Sequence, residues 1–235
     1  MSGDCAIAGR LEIAASPQEL AMRAAAIIAE RLAVCDAPFR LVLAGGATPR
    51  GAYRHLAAMN GPRWECTEIF FGDERFVPPD NPDSNYRMAR ETLLEKIRPR
   101  GLFAIPTDGT LESAAARYDE ILHQQYGASR LEPGVPLFDL TLLGLGADGH
   151  TASLLPGQPV LDERERWAAA VPKGREEPRI TLTYPALQSS RLILFLVSGA
   201  DKKDAVQKAR MGQLPAGGIK PQGEVLWLVD ADAAP

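Results

Sequence analysis

The sequence contains no apolar run long enough to cross a bilayer. A membrane-spanning helix needs about 18 or more apolar residues in succession, and no stretch of the 235-residue chain approaches this length. The first residues, MSGDCAIAGRLEIAAS, also lack the charged segment and apolar run of a secretory signal. We therefore expect a cytoplasmic protein with no membrane partner.

Cysteine is scarce. Cys5, Cys35 and Cys66 are the three cysteines, and they lie far apart and outside any C-x-x-C spacing. Their odd number and wide separation favour neither a disulfide framework nor a zinc site. We interpret them as ordinary thiols.

The charge pattern lacks the basic excess that is typical of nucleic-acid-binding proteins. The 26 basic and 30 acidic residues give a net charge of -4 and are mixed along the chain. With no basic stripe, the sequence does not predict a nucleic-acid partner. The 46% hydrophobic content is sufficient for a core, so we expect a single domain over residues 1–235, or two closely merged lobes.

Helical periodicity alternates with short apolar runs along the chain. The spacing predicts helices over 17–34, 48–59, 84–97, 111–126 and 200–211. Short apolar runs predict strands over 39–46, 66–73, 102–106, 137–146, 179–183, 191–199 and 224–234. This alternation predicts an α/β fold with a mainly parallel sheet, helices on both faces and room for a small accessory lobe. The proline- and charge-rich segment 155–178 is interpreted as a surface excursion that frames the site.

A glycine-rich turn follows the strand predicted over 39–46. In LAGGATPRG (43–51), Gly45 and Gly46 allow close approach of a ligand, and Thr48 is the expected N-cap of the next helix. The N–H groups at such a helix start favour an anion, and a small phosphate ester is the obvious guest. The alternative is a tight turn with no ligand.

Charged residues follow the strand predicted over 66–73. Asp73 and Arg75 stand where a parallel sheet presents side chains to its crevice, and Ser84 or Asp83 caps the next helix. We interpret Asp73 and Arg75 as ligand-binding residues. The alternative is a simple ion pair at the rim.

The segment GLGADGHTASLLPG (144–157) has the spacing G-x-G-x-x-G of a dinucleotide-binding turn. A dinucleotide site needs a long helix after the glycines, and Pro156 and Gly157 prevent one. The candidate chemistry instead lies in Asp148 and His150. Histidine suits general acid/base work near neutral pH, and a carboxylate can orient the imidazole.

The other two histidines and two late cations complete the candidates. His55 and His123 lie in ordinary helical segments and need no function. Arg179 opens a predicted strand and Lys202 opens a predicted helix. Either cation is a surface charge or a partner for a bound phosphate.

Taken together, these motifs resemble the 6-phosphogluconolactonase family over nearly the whole chain. The matching segments are LAGGATPRGAY, FFGDERFVPPDNPDSNYRMA and GLGADGHTASLLPG, followed in order by RITLT, SGADK and EVLWLVDADAA. Two residues depart from the family pattern: Ala47 replaces a serine and Leu155 replaces a common phenylalanine.

The resemblance implies a Rossmann-like fold of the sugar-phosphate isomerase type and hydrolysis of 6-phospho-D-glucono-1,5-lactone in the pentose phosphate pathway. It implies no metal, no organic cofactor and no obligate protein partner. His150 is then the general base on water, and Asp148 either orients the imidazole or faces the sugar. The phosphate is expected at Gly45, Gly46, Thr48, Arg179 and Lys202, the sugar at Asp73 and Arg75, and the oxyanion at N–H groups of 144–146.

Two alternatives stay open. Deaminases of glucosamine 6-phosphate share the fold, but they continue Asp-Gly-His with a segment that supplies a glutamate, which HTASLLPG lacks. A non-catalytic sugar-phosphate sensor would need the phosphate residues but not the Asp-Gly-His turn. Retention of both favours an enzyme over a sensor.

Overall fold

The computed structural model describes residues 9–34 and 38–235. Over this part of the chain the strands are β1 (Arg10–Ala14), β2 (Phe39–Leu43), β3 (Thr67–Phe71), β4 (Asp73–Arg75), β5 (Gly101–Phe103), β6 (Phe138–Leu143), β7 (Ala168–Val171), β8 (Arg179–Leu182), β9 (Ser190–Val197) and β10 (Glu224–Asp230). Cys66 is a free thiol, whereas Cys5 and Cys35 lie outside the described residues.

The helices of the same residues are α1 (Pro17–Ala33), α2 (Ala47–Leu56), α3 (Asn85–Thr92), α4 (Leu111–Tyr126), α5 (Tyr184–Gln188), α6 (Lys203–Arg210) and α7 (Leu214–Gly217). Short 3-10 turns lie at 64–66, 94–96, 159–162 and 200–202. Among these described helices, none combines the length and the apolar character that a bilayer crossing demands.

The main sheet confirms the predicted parallel architecture. Within the described residues, seven strands pair in parallel in the order β1-β10-β9-β6-β2-β3-β5. From β2 the chain builds outward through β3 to β5, and from β6 it builds the other way through β9 to β10. Because crossovers between parallel strands are right-handed, the helices of the two halves cover opposite faces.

A second, antiparallel sheet forms the small accessory lobe. Its order is β4-β8-β7, and α4 packs against β7 and β8. Gly72 joins the two sheets, because its N–H donates to the Leu43 carbonyl (2.9 Å) and its carbonyl accepts from the Leu182 N–H (2.8 Å). The chain therefore leaves the main sheet at Gly72.

This second sheet corrects two sequence expectations. Asp73 and Arg75 do not end the strand predicted over 66–73, because β3 stops at Phe71 and residues 73–75 pair instead with β8. The segment 155–178 is not wholly a surface excursion, since β7 lies inside it with Ala168 and Val171 buried. Pairing across the lobe supplies the burial that local composition did not indicate.

The central strands are buried on both faces, because helices cover both sides of the parallel sheet. Leu41, Val42 and Leu43 of β2 and Ile69, Phe70 and Phe71 of β3 are all at most 1% exposed. The apolar pattern did not predict β1 or α7. β1 is an edge strand whose Glu12 pairs with Arg23, and α7 has only four residues, so neither carries a clear periodic signal.

Side chains cap the starts of α1 and α3, but not that of α2. Ser16 and Ser84 accept the N–H groups of Glu19 and Arg87, and Ser84 is one of the two caps predicted for its helix. Thr48 is not the N-cap of α2, which begins one residue earlier at Ala47 with Gly46 in the N-cap position. Gly46 has a φ of +104°, a conformation that glycine adopts without a steric cost.

Two buried tyrosines form hydrogen bonds with the backbone at the ends of neighbouring strands. Tyr53 of α2 accepts the Ala44 N–H (2.9 Å) and donates to the Ala44 carbonyl (2.8 Å) just after β2. Tyr118 of α4 makes the same pair of bonds with Phe71 at the end of β3, at 3.0 and 2.9 Å. Burial raises the pKa of both phenols, so each hydroxyl stays protonated and keeps its donor.

We expect Tyr53→Phe to lower the free energy of unfolding by about 1 to 3 kcal/mol, because it leaves a buried N–H and carbonyl without partners. Tyr126→Phe is the matched control, since its hydroxyl bonds to Glu132 and Val135 are exposed to solvent. Chemical denaturation of both variants measures the difference. Equal losses would contradict the assigned function of the Tyr53 hydroxyl.

Candidate active site

A cavity of about 380 Å³ opens at the carboxyl ends of β2, β6 and β9, where the strand order reverses. Parallel α/β sheets bind ligands at this kind of position. The structure brings most of the predicted site residues to its wall: Gly45, Gly46, Thr48, Asp73, Arg75, His150, Arg179 and Lys202. Asp148 is not in the wall and lies behind His150.

Asp148 and His150 form a short hydrogen bond. The imidazole Nδ1 lies 2.6 Å from Asp148 Oδ1, and the His150 backbone N–H also donates to this oxygen at 3.2 Å. The network assigns the Nδ1 proton to the bond with the carboxylate, which leaves Nε2 with its lone pair. Of the two interpretations of Asp148, the geometry favours orientation of the imidazole.

A third residue, Arg175, binds the same carboxylate. Its Nη2 donates to Asp148 Oδ2 at 2.7 Å and lies 3.2 Å from His150 Nδ1. Burial acts to raise the pKa of Asp148, but the hydrogen bonds from His150 and the charges of His150 and Arg175 together outweigh it and lower the pKa. Asp148 is therefore an ionised acceptor at neutral pH.

The glycines of the 144–149 turn make room for this pair. A Cβ on Gly146 would lie 2.0 Å from His150 Nδ1 and 2.6 Å from Asp148 Oδ1. Gly149 has a φ of +81°, and a Cβ there would meet Leu214 at 2.5 Å. The Gly146 N–H donates to the His150 carbonyl (2.9 Å), so the expectation that it serves an oxyanion is wrong.

The glycine loop after β2 approaches the cavity from the opposite side. Gly46 precedes α2, so the N–H groups of its first turn, including Thr48, lack partners within the helix and can bind an anion. Gly45 packs against Asn85, where a Cβ would lie 2.0 Å from Oδ1. The loop is therefore held close to α3.

Asp73 lies in the wall, but its carboxylate is engaged within the protein. Oδ2 accepts the Ser153 hydroxyl at 2.6 Å and lies 3.7 Å from Arg179 Nη1, while Oδ1 accepts from Asn85 Nδ2 at 3.2 Å. Asp73, Ser153 and Asn85 are all buried. The alternative interpretation, an Asp73–Arg75 ion pair at the rim, does not hold, because Arg75 Nη1 donates to Asn85 Oδ1 (2.7 Å) and to the Asp83 carbonyl (2.7 Å).

Arg75 and Arg179 both keep donor capacity beside the cavity. Among the described residues, the Nε atoms of both side chains are buried without a hydrogen-bond partner. Burial lowers the pKa of Arg179, although the charge of Asp73 opposes this effect. Two partly desolvated guanidinium groups with unused donors favour an anionic or oxygen-rich guest.

Glu74, between Asp73 and Arg75, supports the fold around α3. Its carboxylate accepts the N–H groups of Asn85 and Tyr86 at 2.7 Å each and the Ser84 hydroxyl at 3.1 Å. Burial raises the pKa of Glu74 in spite of these bonds. The carboxylate fixes the start of α3 and hence the position of Asn85.

Lys202 reaches the cavity from the end of β9. Its Nζ lies 2.9 Å from Asp201 Oδ2, and the side chain is about one-quarter exposed. The preceding turn is held by buried Asp230, which accepts the Ser198 hydroxyl (2.5 Å) and the Gly199 N–H (3.1 Å). These bonds keep the Lys202 turn close to the sheet.

The remaining histidines lie elsewhere, as expected. His55 is exposed on α2, and His123 stacks on Trp167 with ring centroids 3.8 Å apart. In the described ranges, no three side chains of His, Cys, Asp or Glu gather as a metal-binding group would.

The sequence did not indicate a site role for Arg175, Asn85 or Ser153. Asn85 and Ser153 lie inside the quoted motifs, and their proximity to Asp73 depends on the small sheet. Arg175 belongs to a charged segment, and its approach to Asp148 depends on the loop conformation. Spacing alone could have directed attention to the first two, but not to Arg175.

Comparisons with known proteins identify relatives of this chain. A family model described as glucosamine-6-phosphate isomerases/6-phosphogluconolactonase matches residues 15–227. A 6-phosphogluconolactonase of Synechocystis sp. is 41% identical over 202 residues, 82% of each chain. One from Nostoc sp. is 39% identical over 204 residues, 83% of each chain. The structure of a 6-phosphogluconolactonase from Trypanosoma cruzi has a TM-score of 0.84 at 26% identity, with 97% of this chain and 96% of that chain covered.

We expect Gly146→Ala to displace the His150 and Asp148 side chains, because the new Cβ occupies their space. The cost in stability should be small, since side-chain ends can move. Gly144→Ala is the matched control, because a Cβ there has open space around it. Crystal structures and melting curves of both variants provide the measurement. An unmoved imidazole in Gly146→Ala would contradict the described packing.

Proposed function

Because the chain belongs to the family of glucosamine-6-phosphate isomerases and 6-phosphogluconolactonases, we propose that its cavity hydrolyses 6-phospho-D-glucono-1,5-lactone to 6-phospho-D-gluconate. This activity is that of a carboxylic ester hydrolase in the pentose phosphate pathway. The relatives that carry the lactonase name support it. The observation that carries the proposal is the Asp148–His150 pair, with the imidazole at the wall of a cavity that three cations also line.

His150 acts as the general base. Nε2 takes a proton from a water molecule as the water oxygen attacks the lactone carbonyl carbon. The tetrahedral oxyanion then collapses and breaks the bond to the ring oxygen, which receives the proton from the imidazolium and becomes the sugar hydroxyl. Asp148 holds Nδ1 and stabilises the transient imidazolium, as the 2.6 Å hydrogen bond supports.

The phosphate binds at the opposite end of the cavity. Gly45, Gly46 and Thr48 offer N–H groups at the start of α2, and Arg179 and Lys202 supply positive charge. Asp73 keeps Arg179 in place, so we assign it a positioning function rather than direct contact with the sugar. Arg75, held by Asn85, faces the sugar end.

The main enzymatic alternative is a glucosamine-6-phosphate deaminase, which the family description includes. The segment after His150 supplies no glutamate to the cavity wall, and this favours the lactonase. A non-catalytic sensor would not need the Asp148–His150 pair. Turnover of freshly generated 6-phosphogluconolactone, corrected for spontaneous hydrolysis, tests the proposal beside glucosamine 6-phosphate. Release of ammonia from the latter would favour the deaminase.

Two broader expectations accompany this function. We propose that residues 1–235 act as a single domain with one site, in line with the cavity wall drawn from both halves of the sheet. The cytoplasmic location stays a prediction from the sequence.

We expect His150→Ala to lower kcat by roughly 10² to 10⁴, the usual contribution of a general base. Binding of 6-phosphogluconate, measured by calorimetry, should change little, because the phosphate residues are untouched. His55→Ala is the control, since that exposed side chain lies outside the cavity wall. A kcat for His150→Ala near that of the unaltered protein would sink the mechanism.

We expect Arg179→Ala to raise KM about 10- to 100-fold, because a charged hydrogen bond to phosphate contributes about 1.5 to 3 kcal/mol. The same variant should hydrolyse unphosphorylated gluconolactone as slowly as the unaltered enzyme does. Steady-state kinetics with both lactones measures the contrast. An equal loss on both lactones would place Arg179 at the reacting carbonyl instead.

A further inference from the structure

Arg175 lies behind the Asp148–His150 pair, on the side away from the cavity. Its Nη2 donates to Asp148 Oδ2 at 2.7 Å and lies 3.2 Å from His150 Nδ1. Neither Arg175 nor Asp148 belongs to the cavity wall, whereas His150 does. Arg175 therefore does not line the cavity itself, and its hydrogen bond to Asp148 connects it to the imidazole that does.

The loop that carries Arg175 is anchored to the small sheet. A Cβ on Gly174 would lie 2.7 Å from Arg179 Cγ and 2.6 Å from the Glu177 carbonyl oxygen, so the loop packs tightly on Arg179. The Pro178 carbonyl accepts the Phe76 N–H at 2.8 Å. The loop position is thus tied to the same strand that presents Arg179.

Unfavourable backbone conformations collect around the Asp148–His150 turn. In residues 9–34 and 38–235, three residues other than glycine have a positive φ: Ala152 (47°), Arg175 (95°) and Leu214 (64°). Ala152 follows His150, Arg175 binds Asp148, and Leu214 is the residue that a Cβ on Gly149 would meet. Strained conformations persist where the surrounding contacts hold them, and they cluster at functional sites.

We propose that Arg175 is a positioning residue of the lactonase site, which holds the Asp148 carboxylate and moderates the negative charge that it presents to His150. The inference rests on the function proposed above. Asp148 is about two-fifths exposed, so a contact is needed to fix its carboxylate plane. The imidazole binds Oδ1 and the guanidinium binds Oδ2, so both oxygens of the Asp148 carboxylate are held.

The positive charge of Arg175 opposes the effect of the Asp148 carboxylate on the His150 imidazole. A lone carboxylate beside an imidazole stabilises the protonated ring and so removes free base at mildly acidic pH. Arg175 offsets part of that negative charge, so its removal leaves more negative charge beside the imidazole. The other charged residues in the wall of the cavity that His150 lines are Asp73, Arg75, Arg179 and Lys202.

The test compares Arg175→Gln with Arg175→Lys by the pH dependence of kcat/KM and kcat. In Arg175→Gln we expect the acidic limb of the pH profile to move to higher pH by about half to one unit. A charge buried beside a titrating group shifts its pKa by about one to three units, and a solvent-exposed charge such as Arg175 shifts it by less. KM should change less than the position of the limb, since Arg175 does not line the cavity. Arg175→Lys keeps the charge and should restore much of the original limb.

Arg166→Gln is the matched control, because it removes the same charge from the same segment, where the exposed Arg166 pairs with Glu163 and not with Asp148. Its acidic limb should coincide with that of the unaltered enzyme. An Arg175→Gln profile that also coincides would overturn the proposal. If Arg175→Gln does not fold, Arg175→Met, which also removes the charge, decides by the same measurement. Its acidic limb should likewise move to higher pH, and an unmoved limb would count against the proposal.

A turnover assay and an NMR titration together separate the inference about Arg175 from the proposed function. Absence of lactone turnover by the unaltered protein at every pH would overturn the function. The imidazole titration of His150 followed by NMR, assigned by its loss in His150→Ala, then still tests Arg175. Its midpoint should rise in Arg175→Gln, and an identical midpoint would contradict the inference alone.

Discussion

The reversal of strand order between β2 and β6 is the constraint on which the site depends. On either side of this point the chain leaves the sheet toward opposite faces, so the connections diverge and a crevice remains between them. The glycine loop after β2 and the Asp148–His150 turn after β6 are the two walls of this crevice. His150 and the glycine loop therefore lie across one cavity without either belonging to a long loop.

Burial of charge is tolerated at the cavity because each group has a specific partner. The Asp73 carboxylate accepts hydrogen bonds from Ser153 and Asn85. Arg75 donates to Asn85, and Arg179 lies beside Asp73. Isolated buried charges would be costly, and removal of one partner leaves another uncompensated. Polar groups that are rigid before the substrate arrives need little reorganisation during the reaction, which is the usual source of electrostatic catalysis.

Local sequence was sufficient to predict the central strands of the main sheet and the motifs that follow them. Apolar runs such as β2 and β3 are buried on both faces, so they were predicted without knowledge of their neighbours. The motifs identified both walls of the cavity for the same reason, since each lies where a buried strand stops. What escaped prediction depends on contacts between distant segments. The three-residue β4 exists only because β8 pairs with it, and Arg175 reaches Asp148 only through a positive φ.

The pairing of β1 with β10 sets the order in which the sheet can be completed. Arg10 lies opposite Leu226, so the first strand of the sheet is joined to the last one along the chain. During synthesis the strands β2, β3, β5, β6 and β9 can assemble as they emerge, but β1 has no parallel partner until β10 is made. An unpaired strand edge invites association with other chains. The charged residues Arg10 and Glu12 on β1 disfavour such association until β10 has been synthesised.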